Sequence, residues 1–529
     1  MSSYQSLVVE IKFIRMKDID MRISAKIKYG LFGIILMISG CDSFLEVDTP
    51  DNLVQDEFWQ NRDQVYSSLM GIYTSLNGSL NSLHVWGDIR SSLYAPGVGT
   101  EFTNNYSQFL LHDIYSKNDL VSWSQVYKSI TWINSFIKNA PGALAKDPTF
   151  EQDELNTMMG EAYAVRALYY FYLVRAFKDV PIIKEPYESD SQKFNTAPFP
   201  ENEVLDFIEE DLDFALKNAS ETFENVNEKY GRVTKNAVRA ILADVKLWRN
   251  EYQACLDQCT VIDATYAASL VRPLDWYTIF NPGNSSESIF ELQYTQQGPS
   301  SPLYNWFSFF DVGKEKYLAN AANIVVNSVD LYPPESEKYS TSDTIRLKSF
   351  SAYNTDAVSN GYGGAFEVYK YLGQAAYQEA YRSPNERTAN YIFYRYREIL
   401  LMKAEAYAML GKYTEAEACI NLIREHCDIP SLQPGEAGEG IEFFTRLLME
   451  REFELGFEGK EWFAAVRVSR RPGYQTVLID KAATEHSMGQ SYQVIRARLL
   501  NPESWFLPYY YDEVENNQQL EQKEFFQNK

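Results

Sequence analysis

The sequence predicts a mainly α-helical scaffold of paired helices with a loop-rich insertion containing short strands. Apolar residues recur at three- and four-residue steps over most of residues 57–263 and 391–469, the period of helices with one buried face. Two helical hairpins, near 234–263 and 395–427, repeat one pattern of small and aromatic side chains. Between them, residues 264–390 lose the helical period and are rich in Tyr, Asn, Ser, Gly and Pro. The domain reading follows from this: a leader over 1–40, a leash over 41–56, helical parts over 57–263 and 391–529 forming one body, and the 264–390 insertion.

The leader rests on Lys26 to Cys41. Positive charge at Lys26 and Lys28 precedes an uncharged run from Tyr29 to Gly40, too short for the roughly 20 residues that span a bilayer and suited to a signal peptide. Residues 1–20 lie awkwardly upstream, so the reading places the true start at Met21 or Met16. Ser39-Gly40 ahead of Cys41 resembles a bacterial lipobox, which implies cleavage before Cys41 and a lipid anchor on it, with more than one acyl chain for stable attachment. Cys41 to Asp56 then reads as a polar leash.

The formal net charge is −23. Residues 1–40 carry six Lys/Arg against three Asp/Glu, so the remainder stands at −26. That balance excludes sequence-independent nucleic-acid binding, which needs clustered cations. It also excludes adhesion to anionic lipid without an anchor. Cys255, Cys259, Cys419 and Cys427 permit three pairings that spacing cannot separate, and they read more naturally as small buried hydrophobes.

Along the chain, Phe58 to Leu76 reads as a first helix ending near Asn77-Gly78, followed by an irregular segment from His84 to Tyr115. Helices are expected over 123–137, over 155–177 up to Asp179-Val180-Pro181, and over 202–217, whose acids read as a solvated face. An offset of 161 residues aligns Ala243 with Ala404, Tyr252 with Tyr413, Cys255 with Ala416 and Cys259 with Ile420. This small, aromatic, small spacing resembles the tetratricopeptide hairpin. Ser288 to Tyr294 reads as a strand. Residues 441–469 return to helix, with Glu450, Arg451, Glu454, Glu458 and Arg467 read as structural ion pairs, and the tail from Trp505 to Phe526 reads as extended.

His84, His112, His426 and His486 form no HExxH pair, the late cysteines lack zinc spacing, and GxSxG and GxxxxGK[ST] motifs are absent. No catalytic residue, metal or cofactor is expected. Binding has better candidates. Trp86, Asp88, Arg90 and Tyr94 in the first aperiodic segment, and Tyr304, Asn305 and Trp306 in the insertion, combine flat aromatic faces with polar groups that could bond sugar hydroxyls. Core packing is an equal reading for any one of them.

The chain also resembles the SusD/RagB family. The resemblance rests on Gly40-Cys41-Asp42-Ser43-Phe44-Leu45, on Gly160-Glu161-Ala162 with Val165-Arg166-Ala167 and Tyr170-Phe171, and on Asp179-Val180-Pro181. It continues through Arg395-Tyr396-Arg397-Glu398-Ile399-Leu400-Leu401 with Ala404-Glu405-Ala406, Glu450-Arg451 with Glu454-Leu455, and Phe457-Glu458-Gly459 with Trp462-Phe463 and Arg467. Ala464 and Lys460-Glu461 depart from the family pattern at packing positions. The resemblance implies a lipoprotein on the outer face of the outer membrane that binds an oligosaccharide, or in some members a peptide, and delivers it to a SusC-like TonB-dependent transporter. The alternative is an envelope tetratricopeptide scaffold that binds no nutrient.

Overall fold

The computed structural model describes residues 58–91, 93–96, 104–187, 192, 195–307, 317–319, 345–346, 352–353, 366–374, 380–383, 386–484 and 491–527. The leader, Cys41 and the leash lie outside them. Described residues from Asn61 onward belong to one compact unit.

Helix α1 runs from Arg62 to Asp88 and begins at Asn61, whose side chain accepts from the Gln64 amide. It passes straight through Asn77-Gly78, where the sequence suggested a stop. A mid-helix glycine costs about 1 kcal/mol. Burial of Leu76, Leu80, Leu83 and Val85, all fully enclosed, outweighs it. The segment read as irregular also contains strand β1 (Tyr94–Pro96) and helix α2 (Asn104–Leu110). Helix α3 spans Ser124–Asn139.

Helix α4 (Gln152–Phe177) is buried on every side along most of its length, as a helix apolar all round must be. Its charged residues are matched. Arg166 forms a bidentate pair with Asp211, with contacts of 2.7 and 2.8 Å, and Arg175 meets Asp244 at 3.0 Å. Asp211 lies on helix α5 (Glu201–Asn218). One acid of the expected solvated face therefore points inward, while Glu203, Asp206, Glu210 and Asp213 are exposed.

After helix α6 (Val226–Gly231) come the two hairpins, α7 (Lys235–Trp248) with α8 (Tyr252–Tyr266), and α11 (Tyr396–Met409) with α12 (Tyr413–Glu425). The 161-residue offset holds in three dimensions. Ala243, Ala404, Cys255, Ala416, Cys259 and Ile420 are all buried. The turn residues at the same offset, Asn250 and Gly411, both adopt left-handed φ, 63° and 73°. Those are the two residue types that tolerate it best. The hairpins pack together through α8 and α11. All four late cysteines are buried free thiols.

The insertion adds β2 (Ser288–Leu292), α9 (Pro302–Phe307), β3 (Tyr317–Ala319), β4 (Ala352–Tyr353), β5 (Phe366–Glu367) and α10 (Tyr369–Leu372). β2 pairs antiparallel with β6 (Tyr391–Arg395), with Leu292 opposite Tyr391, while β1, β3, β5 and β4 form a second sheet in that order. Helices α13 (Ile441–Leu455) and α14 (Glu461–Ser469) enclose a buried charge network with β6 and α11. The tail is not simply extended. It forms single turns around Pro508 and is pinned by the Leu507 amide donating to the Ala176 carbonyl at 2.8 Å.

Candidate functional site

The structure buries the residues that the sequence singled out. Trp86, Asp88, Arg90, Tyr94, Tyr304 and Trp306 are each at most 3% exposed. The Asn305 side chain lies outside the described set. The first cluster divides. Trp86 packs edge-on against Phe177 and donates to the Leu120 carbonyl. Arg90 lies over Trp462 and donates to the carbonyls of Ser504 and Trp505, anchoring the tail.

Asp88 and Tyr94 face the other way, toward the insertion. The Tyr94 hydroxyl donates to Asp88 and lies 2.8 Å from His84 Nε2, and the His84 ring contacts Trp306 at a centroid distance of 4.9 Å. The two clusters thus meet across His84. Burial, with the nearby Lys370 charge, lowers the His84 pKa to about 3 and keeps it neutral. Asp88 is raised to about 7, chiefly by burial, against the pull of its bond from Tyr94. These groups join α1, β1 and α9.

An accessible recess lies nearby, between α1, α6 and residues 292–299. It encloses about 290 Å³ and is lined by Tyr66, Asn77, Asn227, Arg232, Gln293 and Tyr294 among others. The Tyr294 hydroxyl donates to Asn77 Oδ1 at 2.6 Å, and the Tyr66 hydroxyl donates to Glu228 at 3.2 Å. Asn284 and Gln293 exchange reciprocal amide bonds of 2.9 and 2.7 Å, and Asn284 also donates to Asn227 Oδ1. These bonds hold the amide groups at fixed positions.

The floor is charged but compensated. Arg232 donates to both oxygens of buried Glu161, at 2.6 and 3.0 Å, and lies over the Phe223 ring. Burial works against the Arg232 charge, but the bonds and attraction from Glu161 more than offset it and leave its pKa above the ordinary value. The positive charge is thus already neutralised, leaving half-buried Tyr66 together with Asn77, Asn227 and Glu228 to meet a ligand. Sequence reasoning missed this recess because three separated segments build it, and Tyr66 and Asn77 carry an ordinary helical period.

Glu291 supports the recess from below. Its Oε1 accepts from the Asn284 amide at 2.6 Å, while no donor meets Oε2 among the described residues. Burial raises its pKa from about 4.5 to about 7. The folded state therefore keeps a proton that the unfolded chain loses, so stability falls as pH rises through that window. Glu291→Gln is expected to match the wild type near pH 4 and to exceed it by about 3 kcal/mol near pH 8. Urea midpoints at both pH values check this; an equal gap at both would contradict it.

Among the described residues no helix is long and apolar enough to cross a membrane, and no three His, Cys, Asp or Glu side chains converge to hold a metal. The fold is a helical-repeat body carrying a polar, aromatic recess. Comparison with known proteins identifies which kind. A SusD family model matches residues 286–526, and a model described as "Starch-binding associating with outer membrane" matches residues 44–247.

SusD-like protein P38 of Formosa agariphila is 25% identical over 465 residues, covering 82% of this chain and 89% of its own. A SusD superfamily protein from Bacteroides vulgatus superposes with a TM-score of 0.72 at 19% identity, covering 88% of this chain and 100% of that one. A laminarin-binding SusD-like protein gives 0.65 at 19% identity, covering 88% and 99%. The chain belongs to the SusD/RagB family, and the model that matches its N-terminal part is the one described as starch-binding and associated with the outer membrane.

Proposed function

We propose that this chain is a lipid-anchored cell-surface receptor that captures an oligosaccharide and delivers it, uncleaved, to a SusC-like TonB-dependent transporter. The observation that carries the reading is the recess between α1, α6 and residues 292–299. Half-buried Tyr66 offers an aromatic ring to a sugar, and Glu228 with the amides of Asn77 and Asn227 offers polar groups to its hydroxyls. In this reading Cys41 carries the anchor. Trp86, Asp88, Arg90, Tyr94, Tyr304 and Trp306 are buried and in this reading serve the packing of the body rather than touching the ligand.

Isothermal titration against a panel of plant and algal oligosaccharides tests the reading. One glycan should bind, and Tyr66→Ala and Asn227→Ala should each weaken it by about tenfold with little change in melting temperature. Full-strength binding by both variants would move the site elsewhere. Chain-length analysis of the recovered glycan checks that it is returned intact.

A further inference from the structure

A second cavity lies apart from the recess, between α5 and the strap formed by residues 181–187. It holds about 650 Å³. Phe199, Phe207, Tyr187 and Ile182 supply apolar walls, and Glu185, Glu203 and Glu210 stand at the rim. These three carboxylates enter no ion pair among the described residues, whereas Asp206 beside them is paired with Arg249 at 2.6 Å. The rim's cation, Lys184, lies over the Phe207 ring. A neighbouring cavity of about 240 Å³ shares Ile183, Tyr187 and Thr196 and extends the cleft toward Trp123, Tyr127 and Glu513.

The strap's main chain supplies a second, independent feature. Pro181 and Pro186 hold the residues before them in the extended region. Ile183 turns inward, its amide donating to the Tyr170 hydroxyl at 2.8 Å and its carbonyl accepting from Asn134 at 2.8 Å. In an extended chain the adjacent residues direct their N–H and C=O groups to the opposite side. Among the described residues, the main-chain groups of Ile182 and Lys184 make no hydrogen bond.

We propose that this cleft is a docking site for an extended polypeptide segment bearing Lys or Arg side chains, which adds to the strap as a strand. Main-chain pairing with Ile182 and Lys184 supplies affinity, and apolar residues of the segment enter between Phe199 and Phe207. Its cations meet Glu185, Glu203 and Glu210, and the chain's overall negative charge steers them in.

Fluorescence anisotropy with a labelled octapeptide of alternating Val and Lys tests the site. Binding is expected to weaken as salt rises and to fall about tenfold or more in the double variant Glu203→Lys/Glu210→Lys. Both residues are exposed on α5, and Glu210→Gln alone should give a smaller loss in the same direction. The same peptide N-methylated at alternate amides should lose most of its affinity. Absence of binding, equal binding of a Val/Glu peptide, or undiminished binding of the N-methylated peptide would each overturn the proposal, the last because it would leave only diffuse charge attraction.

Discussion

Replacing Glu454 with Gln is expected to lower folding stability by about 3–5 kcal/mol, the cost of removing one partner from a buried ion pair. Glu454 is fully buried at the centre of a network drawn from three parts of the chain. Its Oε1 accepts from Arg395 at 2.7 Å and from Trp276 Nε1 at 3.2 Å, while Oε2 lies 3.4 Å from Arg346 and 3.5 Å from Arg397. Glu458 continues the network to Arg395 and Lys370, and Glu450 to Arg346 and Arg424.

Arg346 and Lys370 come from the insertion, Arg395 and Arg397 from the β6–α11 junction, and the carboxylates from α13 and the turn after it. The network therefore ties Arg346 and Lys370 to β6, α11 and α13. Burial alone would raise the Glu454 pKa, but Arg397, Arg395 and Arg346 draw it far below the carboxylate range. A depressed acid contributes stability that is present above its unfolded value, about 4.5, and lost as pH falls below it. The gap between wild type and Glu454→Gln should therefore be constant above about pH 5.5 and shrink under acid. Urea denaturation across that range measures it, and a variant within 1 kcal/mol of wild type at neutral pH would show that the remaining carboxylates suffice.

The second large effect is expected at Gly87. A Cβ there would lie 2.0 Å from the Gly459 carbonyl oxygen and 2.9 Å from the Phe463 ring. Neither the backbone nor the buried ring can move without shifting the turn between α13 and α14. That turn is held by Asp88, which accepts from the Gly459 and Glu461 amides at 3.3 and 3.0 Å and so caps α14 from another helix. Gly87→Ala is expected to cost about 3 kcal/mol or more through overpacking and loss of the cap.

Gly71, in the same helix, is the control. A Cβ there meets nothing within 4 Å, and Ala is a better helix former, so Gly71→Ala should stabilise the protein by about 0.5–1 kcal/mol. Thermal unfolding of the two variants should move in opposite directions. Shifts of the same sign would refute the close approach of α1 to the turn.

The chain by itself determined the helical class, the paired hairpins and their register. Those features depend on local periodicity and on small residues placed where two helices approach, as at Ala243 and Ala404 or at the turns of Asn250 and Gly411. Tertiary structure alone decided where α1 ends, because Asn77-Gly78 is a credible local stop until Leu80 and Leu83 find a core to enter. It also decided the fate of the aromatic and polar residues in aperiodic segments. Trp86, Arg90 and Trp306 have the chemistry of a sugar site, yet each is enclosed by residues distant in sequence, Arg90 by Trp462 and Trp505. The recess bearing Tyr66, Asn227 and Tyr294 was assembled from pieces that carry no shared local signal. Periodicity records which face of an element is buried, whereas a pocket depends on which elements meet.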